Sequence, residues 1–330
     1  MSAATLAIAA QDVEAAAGRI AGAAVRTPLL RSTHLDERVG ARLFIKPENL
    51  QRTGSFKFRG AFNRLSAMDA SVRARGIVAA SSGNHAQGVA EAARLFGVPA
   101  TIVMPADAPQ TKIRRTQRSG ARVVAYDRAT EDRLAIARDL SAQSDATFVP
   151  PYDDPFVMAG QGTTGLEIAA DLKSLGFTAD RVLVPTGGGG LLSGIATALG
   201  GPGGPTCQPA EPEGFDDTTR SLQAGARVAN RALTGSCADA LMANTPGALT
   251  FAVNQVRAAP GYAVSEQALL AAVRIAFDEL KLVVEPGGAA ALAAALFAGA
   301  ARPGETVVVV LSGGNIDVSV LARAMATADP

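Results

Sequence analysis

The chain has little of what would mark it as a disulfide scaffold, a membrane protein or a nucleic-acid binder. Its only cysteines are Cys207 and Cys237, too few for a disulfide framework and without the spacing of a metal knuckle. Charged residues make up 18% of the chain, and 31 Lys and Arg nearly cancel 30 Asp and Glu for a net charge of +1. The densest basic cluster, Lys112, Arg114, Arg115 and Arg118, has no interleaved aromatics and reads as a solvated helix face, so no nucleic-acid partner is expected. The segment from Met1 to Ala24 holds Asp12 and Glu14 and lacks a basic start before an apolar block. It reads as an amphipathic first helix and not as a signal peptide. The apolar stretch from Gly287 to Ala301 falls short of the roughly 20 residues that a membrane span needs. These absences lead us to expect a cytoplasmic protein without a membrane partner.

What is present is a large reserve of core-forming residues, 48% hydrophobic over 330 positions. That length exceeds the size at which a single core usually stops growing, so two domains are expected. Short β-branched runs recur between Ala-rich helical stretches: Leu43 to Ile45, Gly76 to Ala79, Ala100 to Met104, Val123 to Tyr126, Val182 to Pro185 and Thr306 to Leu311. Such alternation predicts an α/β fold with parallel-rich sheets covered by helices on both faces. Several runs end in Gly- or Ser-rich loops, at the carboxyl ends of strands where α/β sheets bind ligands. The Gly- and Pro-rich stretch from Gly200 to Gln208 reads as an exposed loop.

Gly187, Gly188, Gly189 and Gly190 follow one such strand and precede a helix-like run from Leu191 to Leu199. Four unobstructed backbone amides at a helix N-terminus suit a single phosphate. The spacing matches neither the dinucleotide fingerprint nor the triphosphate P-loop. Taken alone, the run is equally compatible with a flexible loop. Gly54-Ser55-Phe56-Lys57-Phe58-Arg59-Gly60 sets a lysine between two aromatics, where an apolar surrounding lowers the amine pKa and favours the neutral form that condenses with a carbonyl. A surface lysine with a buried stem is the plainer alternative. Ser81-Ser82-Gly83-Asn84-His85 offers hydroxyls, an amide and loop N–H groups just after a strand, suited to a carboxylate or ring oxygen, or simply to a capped turn.

These motifs occur in one order with Glu48-Asn49, Glu285-Pro286-Gly287-Gly288-Ala289 and Ser312-Gly313-Gly314-Asn315. The order resembles the serine/threonine dehydratase and serine racemase family, pyridoxal phosphate enzymes of fold type II with the tryptophan synthase β-like fold, from about Thr27 to Asn315. The resemblance implies a large domain of residues 1–66 and 152–330, a small mobile domain of 67–151, and a homodimer. It implies that Lys57 carries the cofactor, Phe56 packs near its ring, Asn84 bonds the ring hydroxyl, Gly187 to Gly190 hold the phosphate, Glu285 belongs to the cofactor site, and Ser312 accepts at the pyridine nitrogen. Ser81, Asn84 and His85 would hold the substrate carboxylate. The implied reaction is loss of water from a small 3-hydroxy amino acid (3-hydroxyaspartate, serine or threonine) to give a 2-oxo acid and ammonia. Ser82 matches the second acid/base of the racemases, which keeps amino-acid racemisation as the alternative. A non-catalytic sensor on the same fold would be expected to lack Lys57.

Glu211-Pro212-Glu213-Gly214-Phe215-Asp216-Asp217 resembles the divalent-cation loop of the serine racemase and hydroxyaspartate dehydratase branch. Glu211, the Phe215 carbonyl and Asp217 would then bind Mg²⁺, Mn²⁺ or Ca²⁺. A loop that caps a helix at Thr218 is the alternative. Pro209, in the segment before Glu211, argues against a central strand there. Arg220 or Arg227 would recognise a second substrate carboxylate if the fold turns either inward; a surface residue is the plainer reading of each.

Overall fold

The computed structural model describes residues 6–81, 83–108, 110–127, 130–201 and 203–330. Ser82 lies outside them. Among the described residues the strands are β1 (Leu30–Arg31), β2 (Arg42–Pro47), β3 (Ile77–Ala80), β4 (Ala100–Pro105), β5 (Arg122–Tyr126), β6 (Thr147–Phe148), β7 (Arg181–Pro185), β8 (Thr206–Pro212), β9 (Tyr262–Val264) and β10 (Thr306–Leu311). They form a six-stranded sheet in the order β1-β2-β10-β7-β8-β9 and a four-stranded sheet in the order β5-β4-β3-β6. Every pairing of these strands is parallel except that of β1 with β2. Each expected run is a strand.

Parallel strands need both faces covered, and the side-chain alternation of β10 shows how this is met. Val307, Val309 and Leu311 pack with Leu43, Ile45 and the alanines of the Ala290–Phe297 helix, while Val308 and Val310 face the other way, onto Ile168, Leu191, Leu192 and Ile195. The smaller sheet is covered in the same manner. Ile77, Ala79, Ile102 and Met104 pack on Phe58, Leu65 and Val89, and the opposite face, with Val78, Ala80 and Val103, packs on Ala137, Leu134 and Leu140.

The structure corrects the sequence reading around β8. Pro209 lies inside that strand, between β7 and β9. The Ala210 carbonyl accepts from Thr186 N on the β7 side, whereas the Cys207 carbonyl accepts from Ala259 N on the other side. Pro209 shares the parity of Cys207, so its missing N–H faces away from β7, and the β9 ladder begins only at Ala210; proline therefore removes no bond from the β7 pairing. The loop expected from Gly200 to Gln208 correspondingly gives way to strand at Thr206. The Lys112 cluster is not wholly solvated either: Lys112 is buried, with its Nζ 2.6 Å from Asp239 Oδ2. No described helix is long and apolar enough to cross a membrane.

Candidate active site

The carboxyl ends of β3, β7 and β10 open onto one cavity of about 410 Å³. Phe56, Lys57, Ser81, Asn84, His85, the four glycines 187–190, Glu285 and Ser312 all line it. Motifs scattered over more than two hundred residues of chain thus converge.

Lys57 is the first residue of the Lys57–Ser66 helix, whose N-cap is Phe56. Its Nζ lies 5.1 Å from the Phe56 ring centroid and donates to the Pro151 carbonyl at 2.6 Å. Burial lowers its pKa to about 8, as the flanking aromatics suggested. The helix has little freedom to shift. A Cβ on Gly88 would come within 3.1 Å of the Lys57 backbone carbon, and Gly60 N donates to Gln161 Oε1 at 3.1 Å. Two residues on, Arg59 is fully buried and holds Glu48 at 2.7 and 2.8 Å and Glu167 at 2.7 and 2.9 Å. Lys46 Nζ completes the cluster, 2.7 Å from Glu167 and 2.6 Å from the Thr27 carbonyl. Burial works against charge on both members, yet Arg59 holds Glu48 below the usual carboxylate range. The charge network anchors the lysine helix to β2 and to the Pro155–Leu175 helix.

The glycine loop is shaped for an anion. Gly189, with φ of +92°, caps the Gly190–Leu199 helix, so the helix begins with free amides and its positive dipole end at the cavity. A Cβ on Gly188 would run into the Tyr152 ring, and one on Gly189 would lie 2.9 Å from Asn254 Nδ2. Only glycine leaves this cradle intact.

Elsewhere on the cavity wall, Asn84 Nδ2 donates to Glu285 Oε1 at 2.5 Å and its Oδ1 accepts from Asn315 at 2.7 Å. Burial, reinforced by Asp239, raises the Glu285 pKa to about 7. His85 Nε2 faces the Val149 carbonyl at 3.0 Å, and its buried Nδ1 has no partner among the described residues. Burial and the nearby Lys57 push His85 down to about 3, so the ring is neutral. With Nε2–H committed to a carbonyl, the ring presents Nδ1 as an acceptor, which does not suit direct bonding of a carboxylate by the side chain. Ser312 is buried at the cavity wall, and its backbone carbonyl accepts from Phe56 N at 3.1 Å.

The acidic loop has a double character. Glu211 caps the Asp217–Ala224 helix, accepting from Thr218 N and Thr219 N at 2.9 Å each and from Thr219 Oγ1 at 2.7 Å. Asp217 Oδ1 accepts from Asn230 at 2.7 Å while its buried Oδ2 has no partner among the described residues. Burial first, then Asp217, raises Glu211 to about 8; burial likewise raises Asp217 to about 7. No group of three or more His, Cys, Asp or Glu suited to a metal is found among the described residues. Arg220 is engaged by Asp216 and Asn230, and Arg227 by the Pro246 carbonyl; neither lines the cavity.

Sequence reasoning missed Tyr152, Lys112 and Arg133, which also line the cavity. None sits in a Gly-rich motif, so no local signal marks them.

A buried amine of lowered pKa beside an amide cradle for one phosphate defines a site for an aldehyde cofactor with a phosphate handle. Residues 20–313 match the family model described as pyridoxal-phosphate dependent enzyme, and the chain belongs to that family. It is 45% identical over 315 residues to the L-threo-3-hydroxyaspartate ammonia-lyase of a Pseudomonas species, covering 94% of this chain and 96% of that protein. It is 36% identical to the serine racemase of Schizosaccharomyces pombe, over 94% of this chain and 95% of the relative. The solved serine racemase of maize superposes with a TM-score of 0.89 at 35% identity, covering 97% of this chain and 97% of that one. The α/β architecture is that of fold type II.

Proposed function

We propose that this chain eliminates water from a small 3-hydroxy amino acid, with 3-hydroxyaspartate as the leading substrate, and releases a 2-oxo acid and ammonia. The observation that carries the reading is Lys57, partly buried in the cavity it shares with the glycine cradle, with its pKa lowered to about 8. Gly187 to Gly190 would hold the cofactor phosphate, Phe56 would flank its ring, Asn84, tied to Glu285, would meet the ring hydroxyl, and Ser312 would meet the ring nitrogen. Pyridoxal phosphate, when bound, supplies an electron sink that acidifies the substrate Cα–H bond. Lys57 Nζ takes the Cα proton, since an amine near pKa 8 is deprotonated often enough at neutral pH to act as a base. A neutral serine at the ring nitrogen favours prompt loss of a leaving group over storage of charge, which suits elimination. The β-hydroxyl leaves with a proton as water, and the released enamine takes up water to give the 2-oxo acid and ammonia.

Ser81 and the loop amides at Asn84 and His85 would receive the substrate α-carboxylate. Arg133, exposed at the start of the Arg133–Ser144 helix and lining the cavity, takes the part expected of Arg220 or Arg227 and offers charge to a second carboxylate. The Pseudomonas relative is named for a substrate with such a group. Residues 67–151 would form the small domain that closes on substrate, with 1–66 and 152–330 as the large one. Glu211, the Phe215 carbonyl and Asp217 would bind a divalent cation, since Asp217 Oδ2 lacks a partner among the described residues and a cation relieves the repulsion between the carboxylates. We place the protein in the cytoplasm, as a homodimer.

The test is release of 2-oxo acid and ammonia from D- and L-serine, threonine and the stereoisomers of 3-hydroxyaspartate. Keto acid from a hydroxyaspartate isomer is the expected result. Inverted amino acid without keto acid would instead assign a racemase.

A further inference from the structure

Tyr152 is a cavity-lining side chain to which the proposed reaction gives no task. It follows Pro151, whose carbonyl accepts from Lys57 Nζ at 2.6 Å, so its backbone is held beside the amine. Its ring is seated on the glycine loop. A Cβ on Gly188 would collide with the ring, and one on Gly190 would lie 3.0 Å from Tyr152 Cβ. With the ring fixed by backbone, only the hydroxyl is left to find a partner, and it makes no hydrogen bond with any described residue.

Burial holds the phenol above its ordinary pKa, so it remains a protonated donor at neutral pH; the charges in its field are Arg133, Asp153, Asp217 and Arg227. Those carboxylates have other tasks: Asp153 accepts from the amides of Ala248, Leu249 and Thr250 at 3.1, 2.8 and 3.1 Å, and Asp217 from Asn230. Arg227 is bound to the Pro246 carbonyl, which leaves Arg133 as the one cation of these four groups that lines the cavity with the hydroxyl. A fixed donor beside a cavity-lining cation fits an anionic acceptor, and the phenol carries its oxygen a ring length beyond the backbone at which Lys57 is held.

We propose that Tyr152 is a specificity-determining residue, its O–H donating to the carboxylate that a dicarboxylic amino-acid substrate carries beyond Cβ. The assignment rests on the elimination reading for its substrate class, but its binding test does not require turnover.

Tyr152→Phe keeps the ring on the glycine loop and removes only the hydroxyl. Binding of L-aspartate and of L-alanine to the holoenzyme is followed by the change in cofactor absorbance, alongside kcat and KM for 3-hydroxyaspartate and serine. A donor to a charged acceptor implies aspartate binding weakened about ten- to hundredfold in the variant, with alanine binding and serine kinetics within about twofold of wild type. Aspartate and alanine affected in parallel, or neither affected, overturns the assignment, as does loss of cofactor absorbance from the variant, which would make Tyr152 part of the cofactor cradle. If the aspartate effect appears while wild-type protein yields no keto acid from any substrate, Tyr152 keeps its role and the elimination reading falls.

Discussion

Lys57 shows how a sequence neighbourhood becomes a chemical property. Phe56 and Phe58 flank it in the chain, the Pro151 carbonyl is its polar partner, and burial lowers the pKa to about 8. Below that pH the neutral fraction rises tenfold per unit, so covalent attachment of pyridoxal phosphate to cofactor-free protein should quicken about tenfold per pH unit up to pH 8 and level above it. An ordinary lysine would continue to gain up to its usual value of 10.5; stopped-flow absorbance separates the two. Arg59 is the second residue whose role is set by burial. Arg59→Met strands the buried Glu48 without its ion-pair partner, while Glu167 keeps Lys46, and breaking such a buried pair costs about 3–5 kcal/mol, to be read in chemical denaturation. The flanking aromatics allow the Lys57 property, but a surface lysine is the plainer reading of those residues alone, and only the order of the motifs points to Lys57. The Arg59 network was not legible, because its partners lie at residues 48 and 167 and only the fold joins them.

At the level of elements, strand ends and glycines organise the site. Short apolar, mostly β-branched runs between Ala-rich stretches identified β2, β3, β4, β5, β7 and β10, because parallel strands with covered faces are largely apolar. Short β1, β6 and β9, of two to three residues, carry too little pattern to be seen, and β8 is disguised by Pro209, whose missing N–H lies where it removes no bond to β7. The glycine loop was legible as an anion cradle, but Tyr152 against Gly188 was not, since nothing in either segment names the other. Gly188→Ala forces a methyl into that ring; overpacking of this kind costs about 1–3 kcal/mol, so the cofactor dissociation constant should rise roughly tenfold to a hundredfold, measured by fluorescence titration.

On the scale of the whole molecule, two sheets each with its own core meet around the cavity, and Lys112 with Asp239 ties helix Gln110–Arg118 to the segment that lies over Gly187. The acidic loop also abuts the glycine loop, where Thr218 Oγ1 donates to the Gly187 carbonyl at 3.4 Å. A cation bound to the native state alone stabilises it by mass action. Thermal midpoints should therefore rise with added Mg²⁺, Mn²⁺ or Ca²⁺, fall with chelator, and lose that dependence in Asp217→Asn; a wild-type midpoint indifferent to both treatments would remove the cation from the account. The central claim is that Lys57 holds the cofactor for elimination. Borohydride reduction of the holoenzyme followed by peptide mass mapping tests it most directly: the pyridoxyl mass is expected on the peptide containing Lys57, with turnover lost in proportion to labelling, whereas a label on another lysine, or full turnover after stoichiometric labelling, would contradict it.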